Sequence, residues 1–177
     1  GFVLEGLVDQ ADPAGTVRRV AAAAASVRAA TGGLLAVLIF DIVAGWALYL
    51  LLRPFAPELS LLSLLFRLAY TVSHVAAVLY LVHALRLATA AAPAGGGPEA
   101  AVIVDALAHL LVGAHGPAFT VTLIFFGVHL LLLGFLLWRT RLIPPVFGLL
   151  VALAGGGYVI DGFAYVVFAA WAELPAA

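Results

Sequence analysis

Cysteine, methionine and lysine are all missing from the chain, and each absence closes off some chemistry. Without cysteine there is no disulfide, no thiolate zinc, no iron–sulfur ligation and no thiol nucleophile, so any metal must rest on histidine and carboxylate. The redox compartment is left open. Without lysine, all eight basic residues are arginine, and set against nine acidic residues they give a formal net charge of −1. That balance offers no basic surface, and nucleic acid is not an expected partner. Charge of either sign is scarce at 10% of residues, whereas 66% are hydrophobic and mean hydropathy is +1.21. A water-soluble domain cannot hide so much apolar surface. The chain starts at Gly1 without a methionine anywhere, so it is read as a fragment with residues upstream.

What is present is four long apolar runs, residues 33–53, 59–87, 118–138 and 146–171. A helix needs roughly 20 predominantly apolar residues to cross a hydrocarbon core about 30 Å thick, and all four runs meet that length. Backbone groups in lipid must be satisfied internally, and the chain lacks the alternation of barrel strands, so the runs are predicted to be helices. The second run is the longest and is expected to tilt or protrude. The expected fold is all-α, a polytopic helical membrane bundle forming one domain over residues 1–177, with the lipid bilayer as its environment.

Between the runs the punctuation is clear. Asp12, Pro13 and Gly15 break the opening segment, no signal peptide is visible, and Thr16 is placed to cap a helix. Residues 17–30 are alanine-rich and helix-favouring, expected to lie at the interface or to extend the first span. Arg53, Pro54 and Pro57 make a tight turn, predicting an antiparallel hairpin of the first two spans. Residues 88–98 have the composition of a flexible loop. Residues 99–115 carry Asp105 and His109 on one face with apolar cover elsewhere, which predicts a short amphipathic helix lying in the interface ahead of Gly116 and Pro117; the alternative, that it spans, would invert the topology of everything after it. Arg139, Thr140, Arg141, Pro144 and Pro145 turn the chain into the last run. Arginine stands beside the membrane on both sides, so counting alone does not fix orientation.

Each run also holds an ionisable side chain: Asp41 in the first, Arg67 and His74 in the second, His129 in the third and Asp161 in the fourth. A charge at the centre of a spanning helix costs about 2.5 to 3.5 kcal/mol on insertion scales, so such groups are expected to face a shared interior. At 1.5 Å per residue, Asp41, His74, His129 and Asp161 fall about 8 to 16 Å from the face bearing the glycine-rich loop, with Arg67 nearer the middle. An Arg67 pair with Asp41 or Asp161 buries these charges at the lowest cost. Ser63, Arg67, Tyr70, Thr71 and His74 form one helical stripe, and Tyr158, Asp161, Gly162 and Tyr165 another. Asp41 shares a face with Gly45, while Gly127 and Gly134 offer places of close helix approach.

Several chemistries fit this cluster of Asp41, Arg67, His74, His129, Tyr158 and Asp161. It can be interhelical glue in a structural or accessory subunit. It can bind or pass a small polar species through an Asp and His relay, although no internal repeat supports a transporter fold. It can be a metal-assisted intramembrane enzyme, with His74, His129 and Asp161 as ligands to zinc or non-haem iron and Asp41 as base, but there is no HExxH motif. Two histidines on separate helices can also hold a haem, a pattern that arises readily by chance. The leading reading is a non-enzymatic membrane protein whose cluster binds or passes a small polar species, with the metal-assisted enzyme and the structural or accessory subunit as alternatives, and no cofactor is required by the sequence.

The string LIFFGVHLLLLGFLLWRTRLIPPVFGLLVALAGGGYVID, residues 123–161, resembles a bacterial family of multi-pass membrane proteins known as domain of unknown function 4386. Phe125, Phe126, Gly127, His129, Gly134, Arg139, Pro144, Gly148, Tyr158 and Asp161 carry the resemblance. Asp12, Thr16, Asp41, Leu48, Tyr49, Leu52, Arg53, Pro54, Phe66 and Arg67 extend it more loosely over nearly the whole chain. The resemblance implies a further helix before Gly1, a bacterial inner-membrane location, and Arg53, Arg139 and Arg141 facing the cytoplasm. The sequence departs from the family pattern at Thr140 and Arg141, where a Ser and Gly-like turn is expected, and at Pro145. No catalytic role comes with the family.

Overall fold

The computed structural model describes residues 12–90 and 97–172. Most of the opening segment and the centre of the glycine-rich loop, expected to be flexible, lie outside the described residues. Five helices and no strand are found among the described residues: α1 (Pro13–Ala22), α2 (Ala24–Leu52), α3 (Pro57–Thr89), α4 (Pro98–Thr140) and α5 (Pro145–Ala172). Four of the five open on proline, at the position where its missing N–H would have had no partner anyway. The cap of α1 is Asp12 and not Thr16: its Oδ1 accepts from the Gly15 N–H at 2.7 Å. An aspartate directly before a proline outcompetes a later threonine for this role. Thr16 is instead wholly buried inside α1, and the alanine-rich stretch is divided between α1 and α2 at Ala23.

α2, α3, α4 and α5 are each long and apolar enough to cross a membrane, their most apolar stretches averaging hydropathies of 2.3, 1.6, 2.4 and 1.7. The protein is therefore a multi-pass membrane protein of helical class. Residues with more than two thirds of their surface exposed, such as Phe40, Ile160 and Phe168, are what a lipid-facing helix presents.

One expectation is overturned. Residues 99–115 do not form a separate helix ahead of a break at Gly116 and Pro117; they run straight into the third apolar run as part of the 43-residue α4. A proline inside a helix loses one hydrogen bond and crowds the carbonyl four residues earlier. Here that residue is Gly113, which has open space around it, and spanning helices tolerate such a defect.

The contacts divide into two compact units, one of residues 1–37 and 75–117, the other of 38–74 and 118–177. In the first, Val20, Val27, Ala84, Leu85 and Val112 form the buried core. His115 adds a polar tie, its Nδ1 lying 3.0 Å from the Ala77 carbonyl oxygen. In the second, Leu52, Leu133 and Leu136 form an apolar cluster joined by Leu48, Leu59 and Val151. There α4 and α5 meet backbone to backbone. A Cβ on Gly134 would stand 2.5 Å from the Gly148 carbonyl oxygen, and one on Gly127 would stand 2.7 Å from that of Gly155. Only glycine permits this approach. The turn before α5 contains the one non-glycine residue of positive φ among the described residues, Arg141 at 54°. Its N–H still bonds back to the Leu137 carbonyl at 3.2 Å. That is the left-handed conformation that ends many helices and favours glycine, and it is where the family pattern leads one to expect a glycine-like residue.

Candidate functional site

The second unit brings Asp41, Arg67 and His129 together. Counted from the helix ends at Leu52, Pro57 and Thr140, the three residues lie about 15 to 17 Å along their helices, near the middle of a hydrocarbon core. Arg67 is therefore level with its partners.

Arg67 uses its guanidinium in three directions. Nη2 donates to Asp41 Oδ1, forming an ion pair, while Nε donates to the Asp41 carbonyl oxygen at 2.9 Å. Nη1 donates to His129 Nε2 at 3.1 Å. The guanidinium carbon Cζ lies over the Phe126 ring, 5.7 Å from its centroid. Such planar, multidirectional bonding is particular to arginine. The side chains of Arg67 and Asp41 are only 12% and 15% exposed.

The histidine tautomer follows from its partners. Arginine has no acceptor, so His129 Nε2 must present its lone pair, and the ring proton resides on Nδ1. That nitrogen faces both the Ser63 carbonyl oxygen and the Ser63 hydroxyl at 2.9 Å. The serine hydroxyl in turn donates to the His129 carbonyl oxygen at 3.4 Å. His129 is 1% exposed and Ser63 4%, so the α3–α4 contact carries a closed set of polar bonds. Desolvated polar groups are tolerated at such depth when their partners are complete.

Gly45 makes room for this arrangement. A Cβ there would stand 2.9 Å from Arg67 Cδ and 3.1 Å from Leu64 Cδ1, so the arginine stem lies against the bare backbone of α2 one turn beyond Asp41.

The remaining candidates fall elsewhere. His74 is buried, but its Nδ1 lies 3.1 Å from the Tyr70 hydroxyl and its ring packs on Phe119. Tyr158 meets Phe126 in an edge-on contact, with ring centroids 5.9 Å apart, and is 39% exposed. Asp161 does not converge on the cluster. It is exposed on α5, because the small residues Gly148, Ala152, Gly155 and Gly162 turn the opposite side of that helix toward α4. The proposed metal set of His74, His129 and Asp161 is thus not assembled, and no group of three or more potential ligands fits a metal ion among the described residues. Both nitrogens of His129 are engaged as well. Ser63 and Gly45 are the participants whose roles the sequence did not reveal. Ser63 was visible on the polar stripe, and Gly45 on the face of Asp41, but neither position declares its partner across the helix boundary.

Comparison with known proteins places this arrangement in context. The chain is similar to an uncharacterized protein of the archaeon Archaeoglobus fulgidus, 32% identical over 129 residues, which are 73% of this chain and 62% of the relative. The match thus spans under two thirds of that relative's length. No solved structure matches. The family described as a domain of unknown function (DUF4386) matches residues 1–177. With four membrane-compatible helices and a match along its whole length, the chain belongs to that family.

Proposed function

We propose that the chain is a structural or accessory membrane subunit, in which the Asp41–Arg67–His129–Ser63 network is a clasp between helices and Asp161 engages a partner. The observation that carries this reading is the sorting of the polar groups. Asp41, Arg67, His129 and Ser63 satisfy one another, whereas Asp161 stays outside with no hydrogen bond or ion pair among the described residues. A closed network supports helix packing better than passage of a solute or activation of a substrate.

Asp161 lies about 24 Å along α5, within the apolar stretch, with Tyr158 and Tyr165 on the same exposed stripe. A carboxylate at that depth calls for a cation or donor. A second copy of this chain supplies no cation there, since the arginines other than Arg67 stand in α1, near helix ends or in turns. The occupant that fits is a spanning helix of another membrane protein carrying arginine or lysine at the same depth. Placement in a bacterial inner membrane, with Arg53, Arg139 and Arg141 toward the cytoplasm, belongs to the same proposal; the archaeal relative widens the range of hosts for the family.

The test uses the full chain in phosphatidylcholine vesicles with a fluorescent polyleucine peptide bearing one central arginine, and an all-leucine control. Energy transfer is expected to show about tenfold tighter association of the arginine peptide, lost in Asp161→Asn. Equal association of the two peptides would overturn the reading. So would proton or solute uptake by the vesicles that depends on Asp161, which would reinstate passage of a polar species.

A further inference from the structure

The first unit holds a groove of about 350 Å³ between the start of α2 and the end of α3, unrelated to the clasp. Its lining includes Arg28, within the first two turns of α2, and Arg86, in the last turn of α3. Both are exposed, and neither makes an ion pair or hydrogen bond among the described residues. Deeper in, the walls are Leu35, Val82 and Leu85. Leu35 is about 10 Å further along α2 than Arg28, and Val82 about 6 Å further into α3 than Arg86. Gly32 also lines the groove, and nothing stands within 4 Å of the place its Cβ would occupy. The two threonines of the lining add no free donor, since Thr31 and Thr89 each donate their hydroxyl to the carbonyl four residues earlier.

Two exposed arginines without an ion pair among the described residues border a slot whose walls are otherwise apolar, so the site offers two kinds of contact. A free anion would use the arginines and leave the slot unfilled. A neutral lipid would fill the slot and leave the charges unanswered. We infer that this groove binds a membrane phospholipid with an anionic headgroup, its phosphate held by Arg28 and Arg86 and one acyl chain lying along Leu35, Val82 and Leu85. Arginine matches phosphate in geometry as well as charge, and basic pockets between spanning helices recognise lipid headgroups on this principle.

The experiment is native mass spectrometry of the purified full chain in neutral detergent, titrated with phosphatidylglycerol or with phosphatidylcholine of the same acyl chains. Phosphatidylglycerol is expected to bind about tenfold more tightly. The double variant Arg28→Gln/Arg86→Gln is expected to lose that preference, whereas Arg53→Gln/Arg139→Gln, altered at the opposite helix ends, keeps it. Gly32→Leu, whose Cβ meets nothing within 4 Å and whose longer side chain occupies the groove, is expected to weaken binding of both lipids while both arginines remain. Equal binding of the two lipids, or a preference lost equally in both double variants, would overturn the site. Displacement of the lipid by excess inorganic phosphate, with Gly32→Leu inert, would show an anion site and overturn the lipid assignment.

Discussion

Arg67 shows how one side chain ties three helices in a medium without water. Its worth lies less in net attraction than in what its loss would leave behind. Removing the arginine strands the Asp41 carboxylate and the His129 lone pair in an apolar interior, and breaking such a buried pair costs about 3 to 5 kcal/mol. Arg67→Leu is therefore expected to destabilise the protein by that amount, and Asp41→Leu by a comparable one. The double variant is expected to recover a large part of the loss. A double-mutant cycle followed by unfolding in mixed micelles measures this, and additive losses would show that the two residues do not act as a pair. The choice between Asp41 and Asp161 as partner was left open by depth and reach alone. What decides it is the rotation of α5, and rotation is set by packing. His74 stays out of the cluster for a related reason: it shares the helical stripe of Arg67, but Tyr70 and Phe119 take its ring.

At the scale of elements, the contact of α4 and α5 depends on what side chains leave out. The spacing of Gly127 and Gly134 signalled close approach, yet periodicity could not say which helix would come near. The small residues at 148, 152, 155 and 162 are the matching half of that signal. Gly134→Ala brings a Cβ within 2.5 Å of the Gly148 carbonyl oxygen and 2.6 Å of the Ala152 nitrogen. Since neither atom belongs to a flexible side-chain end, the helices must move apart. The expected cost is about 1 to 3 kcal/mol. Gly157→Ala meets nothing within 4 Å and is expected to add up to about 1 kcal/mol by restricting the unfolded chain. Thermal unfolding in detergent compares the two directly, and a shared sign would contradict the packing described. The continuity of α4 was illegible for the opposite reason. Gly116–Pro117 is a breaking dipeptide in water, whereas in a long apolar helix no competing solvent rewards the break.

For the whole molecule, the hydropathy pattern was decisive, because only spanning helices can hide so many apolar residues, and four of the five helices fall where the runs lie. The polar site was partly legible: the depth of Asp41, Arg67 and His129 could be counted along each run, whereas the outward position of Asp161 could not. Four crossings place the turns at 53–56 and 141–144 on one side of the membrane, and the connection after Thr89 on the other. The absence of native cysteine makes this open to direct measurement. Single cysteines at Phe55 and Leu142 are expected to react with an impermeant maleimide from the same side of oriented vesicles, and one at Ala90 from the other side. Labelling of Phe55 and Leu142 from opposite sides would refute the even number of crossings between them.

The meeting of Asp41 with Arg67 also bears on how the chain enters the bilayer during synthesis. When α2 emerges, its carboxylate has no counterion, because the guanidinium that neutralises it is still 26 residues from being made. Transfer of α2 alone into lipid carries the full penalty of a naked charge. Retention beside the insertion machinery until α3 arrives would remove that penalty, so α2 and α3 are expected to enter as a hairpin, with the ion pair formed before lipid surrounds it.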